Sequence, residues 1–209
     1  MRDNVSLPTL IKTWSPLLAT AVILVALQMI VLMYPPMGQL LEWSRVEIAQ
    51  GQWWRLLTGH WVHLGPTHLL LNLAGLFLLS VLFDRPATTA WWAGYLLTAP
   101  VAISFALEWA IPALDWYRGF SGCLHGLFVL LAMANLSQSP RWNTLLLVGL
   151  GIKLVAEAFY PTGTADLIGA AVIYQAHWLG ALTGVMAGCV FLISRKSGIR
   201  ETPGPPSPG

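Results

Sequence analysis

Gly119-Phe120-Ser121-Gly122-Cys123-Leu124-His125-Gly126-Leu127-Phe128-Val129-Leu130-Leu131 decides how the chain is read. Its second half is unbroken apolar sequence. Its first half sets a serine and a histidine, spaced by glycines, at the mouth of that run. A second stretch, Ala176-His177-Trp178-Leu179-Gly180, opens another apolar run with a histidine. Polar groups are expensive to place in lipid, so each asks for a reason.

That the solvent is lipid follows from composition. The 209 residues are 56% hydrophobic and only 10% charged, with a mean hydropathy of +0.65, against about 25% charge in soluble domains. A net charge of +2 is too small to point to nucleic acid. Two cysteines make no disulfide framework. Cys123 and Cys189 fall on different helices, separated by roughly 18 Å in depth if Ser121 and His177 are level.

Six apolar spans are expected, at residues 15–34, 66–83, 89–109, 120–136, 142–160 and 171–194. Each is near the ~20 residues that cross a bilayer, and the backbone's hydrogen bonds then require helices. The first is read as a span and not as a cleavable signal, because Tyr34-Pro35-Pro36 follows it in place of a small-residue cleavage site. The expected fold is therefore all-α and polytopic: a segment over 1–14, a six-helix domain over 15–194 and a disordered tail over 195–209. No internal repeat is visible. With the N-terminus inside, Arg2, Lys12, Arg85, Arg141, Arg195, Lys196 and Arg200 lie inside, while Arg45, Arg55, Arg118 and Lys153 lie outside. This balance places both termini in the cytoplasm. Residues 35–65, with Trp43, Trp53, Trp54 and Trp61, read as short helices along the outer surface, the tryptophans forming an interfacial belt.

Under this topology the second, fourth and sixth spans run inward from the outer face. Each carries its polar residues in its first turns: His68 and Asn72, Ser121 and His125, and His177. Scattered structural polar residues would have no reason to share a depth. Ser121 and His125 are four apart and face the same way, as are His68 and Asn72. Gly119, Gly122 and Gly126 on one helix, and Gly180, Gly184 and Gly188 on another, allow the close approach that a Ser121–His177 hydrogen bond needs.

A serine hydroxyl becomes a strong nucleophile when a base takes its proton, and His177 is the best-placed base. Oxyanion donors come from the helix N-terminus at Ser121 and Gly122, with Asn72 and His68 in support. No aspartate is well placed to orient His177, so a Ser–His dyad is expected. Asp166, in the preceding loop, is the alternative orienting carboxylate. Lys153 and Glu157, four apart in the fifth span, read as a structural ion pair near the outer surface. Gln28 reads as an interhelical hydrogen bond.

These residues resemble the rhomboid intramembrane serine proteases. The likeness rests on Trp54-Arg55 with Thr58, then His63, His68 and Asn72, the Gly-x-Ser-Gly of residues 119–122, and His177-x-x-Gly180-x-x-x-Gly184. It implies that Ser121 is the nucleophile and His177 the base, with His68 and Asn72 at the oxyanion. It also favours His63 as an accessory residue. Many rhomboids carry a tyrosine four residues after the serine, stacked on the catalytic histidine; here that residue is His125. The run Ser121-Gly122-Cys123-Leu124-His125-Gly126 is similar to the rhombosortase branch. That branch implies a bacterial inner-membrane enzyme cutting C-terminal tails of exported proteins: Gly-Gly, a hydrophobic helix and a basic end. No cofactor is implied. His125 is left with three roles: stacking on His177, contacting substrate, or hydrogen bonding within the bundle.

Two other functions compete. Five histidines, with His60-x-x-His63 at ligand-like spacing, fit a metal-dependent membrane enzyme, although His-Glu-x-x-His and clustered carboxylates are missing. A non-catalytic rhomboid-like protein that binds client transmembrane helices would be expected to lose the serine or histidine; both are here. A transporter lacks support from repeats or intramembrane charges.

Overall fold

The computed structural model describes residues 15–83, 88–160 and 162–198. The segment 1–14, most of the tail, and the charges Arg2, Lys12, Arg85 and Arg200 lie outside the described residues. Six apolar helices form where the spans were expected: α1 (Ser15–Met33), α5 (Pro66–Leu82), α6 (Thr89–Ala110), α7 (Ser121–Ala134), α8 (Pro140–Phe159) and α10 (Tyr174–Gly198). Four of them, α1, α6, α8 and α10, are long and apolar enough to cross a membrane, while α5 and α7 are shorter. At 1.5 Å per residue, the 14 residues of α7 rise roughly 21 Å against ~30 Å of hydrocarbon. A helix this short leaves room for an aqueous recess above one end.

Prolines at the first positions of α5 and α8 start those helices at no hydrogen-bond cost, since the first N–H groups have no intrahelical partner. Thr88 caps α6 by accepting from Trp91 N–H. Two boundaries differ from the sequence reading. Residues 171–173 are not helical, so the sixth span begins at Tyr174. At its other end α10 continues through 195–198, which were expected to belong to the tail.

α7 and α10 form the tightest pair, and glycine makes the approach possible. A methyl group at Gly180 or Gly184 would strike the backbone of Gly122 or Gly126 on the facing helix. One at Gly122 would stand 2.8 Å from the Ala176 carbonyl oxygen. Small residues at four-residue spacing therefore bring the two backbones together, as lipid-embedded helices require when no hydrophobic effect drives their packing. The core around this pair includes Leu127, Leu130 and Leu131 of α7, Ile103 and Leu107 of α6, and Leu76 and Leu79 of α5.

Residues 35–65 form short helices, as expected: α2 (Pro36–Leu41), α3 (Arg45–Ala49) and α4 (Arg55–Thr58). They also contribute an unexpected strand. β1 (Trp43–Ser44) pairs antiparallel with β2 (Trp116–Tyr117), with Trp43 opposite Tyr117. Trp43 is consequently fully buried and is no part of an interfacial belt, whereas Trp53 and Trp54 are exposed. Arg55 is buried and spends its guanidinium on the segment itself, donating to the Gln39 carbonyl at 2.6 Å, the Glu42 carbonyl at 2.9 Å and Gln52 Oε1 at 2.9 Å. Arg118–Glu42 at 2.8 Å and the Arg45–Glu108 pair fasten this segment to the rest. The last short helix, α9 (Thr162–Ile168), precedes α10.

Candidate active site

Ser121 is the first residue of α7 and His177 lies in the first turn of α10. The glycine contacts between these helices set the distance: Ser121 Oγ is 3.0 Å from His177 Nε2. An imidazole nitrogen at that separation can accept the hydroxyl proton. His68, Asn72, His125, Lys153 and Glu157 line the same cavity of about 450 Å³.

A carboxylate extends the line beyond the Ser121–His177 pair expected from the sequence. Glu157, in the last turn of α8, places Oε2 3.0 Å from His177 Nδ1. Its other oxygen pairs with Lys153 Nζ at 2.7 Å. The ion pair read from the sequence is present, but only one carboxylate oxygen is used by it. With Nδ1–H donating to Glu157, the Nε2 lone pair faces Ser121, the tautomer a base requires. A signal for this was available: α8 runs opposite to α7, so its last turn lies level with the first turn of α7. Among the described residues, the carboxylate hydrogen-bonded to His177 is Glu157 and not Asp166.

His125 takes two of its three open roles. Its ring stacks on His177 at 4.2 Å between centroids and 13° between planes. Its Nδ1–H donates to the Ser121 carbonyl at 2.7 Å, and its Nε2 faces Lys153 Nζ at 2.6 Å.

The N–H groups of Ser121, Gly122 and Cys123 precede the first bond of α7, Leu124 N–H to the Phe120 carbonyl at 3.0 Å. Helix-terminal groups of this kind are available to an anion. Ahead of them Gly119 adopts a left-handed φ of +140°. A side chain there would stand 2.8 Å from the His68 ring, so both conformation and space select glycine. Tyr117 Oη–H holds the Gly119 carbonyl at 2.7 Å. Burial pushes the Tyr117 phenol well above its ordinary pKa, which keeps it a neutral donor.

Asn72 donates one amide hydrogen to the His68 carbonyl at 2.9 Å, leaving the other N–H for the cavity. His63 stands behind this group: it is fully buried, with its ring edge-on to His68 at 5.1 Å. Burial, with His68 beside it, lowers its pKa to about 3. His60 does not join His63 in a ligand pair. It bonds Ser104 Oγ at 3.0 Å, and burial lowers its pKa to about 3. Among the described residues, the group able to hold a metal is instead His125, Glu157 and His177.

Residues 50–194 match the family model described as a Rhomboid domain. A comparison with curated proteins finds no match.

Proposed function

The chain belongs to the rhomboid family of intramembrane serine proteases, and on that premise we propose that it is a serine endopeptidase working through Ser121, His177 and Glu157. The observation that carries this is the line Ser121 Oγ–His177 Nε2, 3.0 Å, and His177 Nδ1–Glu157 Oε2, 3.0 Å, in one cavity of a multi-pass membrane protein. His177 takes the proton of Ser121 as Oγ attacks the scissile carbonyl. Glu157 holds the imidazole in the productive tautomer and stabilises the imidazolium that forms. The N–H groups at the start of α7, with Asn72 and His68, receive the oxyanion. His177 then returns its proton to the leaving amine as the acyl–enzyme forms. His125 stacks under His177 and restricts its ring.

The substrate we propose is the C-terminal tail of an exported protein, with Gly-Gly before a hydrophobic helix and a basic end. Support comes from His125 at the position after Ser121-Gly122-Cys123-Leu124, where the rhombosortase-like pattern has it. Chemistry agrees: a formed helix hides its carbonyls, and each glycine weakens helix by about 1 kcal/mol relative to alanine. The enzyme lies in the bacterial inner membrane with both termini cytoplasmic and the cavity facing the periplasm, as the distribution of Lys and Arg favours. Co-expression with a reporter bearing such a tail tests the assignment. Cleavage beside Gly-Gly, read by mass spectrometry and lost in Ser121→Ala, is expected. An intact tail beside an active serine would remove this substrate class.

A further inference from the structure

Three donor atoms of the candidate site converge where the protein already holds a cation. One coordinating atom each from His125, Glu157 and His177, drawn from α7, α8 and α10, lies within 4.8 Å of the others. The Lys153 ammonium sits against two of these groups, 2.6 Å from His125 Nε2 and 2.7 Å from Glu157 Oε1. Its side chain is 43% exposed, so it can swing into the cavity mouth without disturbing the bundle.

The ring chemistry favours a metal at this point. His125 gives its Nδ1–H to the Ser121 carbonyl, so its Nε2 carries a lone pair directed into the cluster. A metal-bound histidine almost always has its second nitrogen anchored in this way. Two imidazoles and one carboxylate, with a fourth position left to water from the cavity, form a donor set that suits zinc, with ligands at ~2.0–2.2 Å. His177 Nδ1 and Glu157 Oε2, 3.0 Å apart, are already as close as two such ligands on one ion, so the adjustment falls mainly on His125.

We propose that His125, Glu157 and His177 form an inhibitory site for a zinc-class divalent cation, which displaces Lys153 and silences His177. This inference rests on the serine-protease reading for its consequence, though not for binding. Metal on His177 Nδ1 needs the lone pair there, so the ring proton moves to Nε2. Nε2–H then donates to Ser121 Oγ, and no base remains to take the serine proton. Lys153 competes for the same place, so the affinity of the site is set by how easily it leaves.

The test titrates zinc chloride into the full-length, detergent-solubilised protein without a polyhistidine tag, followed by calorimetry. Serine labelling by a fluorophosphonate is timed in parallel. One zinc should bind per chain, and labelling should slow over the same concentration range, while magnesium, which prefers oxygen ligands, does neither. Lys153→Met should tighten zinc by about tenfold or more, and His125→Tyr should weaken it by about tenfold or more. Lys153→Met keeps the test decisive if His125→Tyr fails to fold. Absence of zinc binding, or equal affinity in both variants and wild type, overturns the site. Binding with undiminished labelling overturns inhibition. A metal-free protein that never labels contradicts the protease reading, and calorimetry still decides the metal site.

Discussion

Glu157 is the residue on which the geometry departs most from expectation, because its carboxylate serves two partners at once. In the proposed mechanism its contribution is orientation, so amide substitution separates charge and tautomer from shape. Glu157→Gln can turn its NH2 toward His177 Nδ1 and force the proton to Nε2. Tail cleavage should then fall by about 10²–10⁴-fold with little change in thermal stability. Glu157→Asp, a shorter carboxylate, should recover part of the loss. Equal activity in wild type and Glu157→Gln would return the site to a two-residue arrangement. Gly119 is the other residue where one methyl matters. Gly119→Ala meets both a left-handed φ and the His68 ring, so the Ser121 end of α7 should shift and fluorophosphonate labelling should drop.

Helix packing decides whether these side chains meet. Gly180 faces Gly122 backbone, which cannot yield as a flexible side chain would. Gly180→Ala should therefore push α10 from α7, costing about 1–3 kcal/mol and lengthening the Ser121–His177 contact. Thermal unfolding in detergent and labelling rate should fall together. Gly149→Ala, in α8 with open space around it, should instead leave stability unchanged or raise it by up to ~1 kcal/mol. At this scale the sequence was most readable. Apolar runs, prolines and glycine spacing placed the six helices, because lipid allows few alternatives for a buried backbone. The polar residues read as sharing a depth, Ser121, His177, His68, Asn72 and His125, line one cavity. The strand pair of Trp43 and Tyr117 was not legible, since two residues carry no alternation pattern and their pairing joins distant segments. Glu157 escaped because its neighbour Lys153, one helical turn away, offered a sufficient partner.

Across the whole molecule, burial holds two histidines outside the spans neutral. His60 and His63 have folded pKa values of about 3, against 6.5 when unfolded. Between these values the unfolded chain binds more protons, so stability rises with pH there and is lost as pH falls below about 6.5. The unfolding midpoint in detergent should be flat above about pH 7.5 and decline steadily toward pH 5, with a shallower slope in His63→Phe. A midpoint rising on acidification would contradict the buried, neutral assignment. In the proposed mechanism the bundle as a whole serves to keep one serine, Ser121, activated by His177. Fluorophosphonate labelling of solubilised wild type, Ser121→Ala and His177→Ala, each shown to be folded, measures that directly. An intramembrane serine protease predicts labelling of wild type alone, at Ser121. Folded wild type that stays unlabelled, or Ser121→Ala that labels equally, would contradict it.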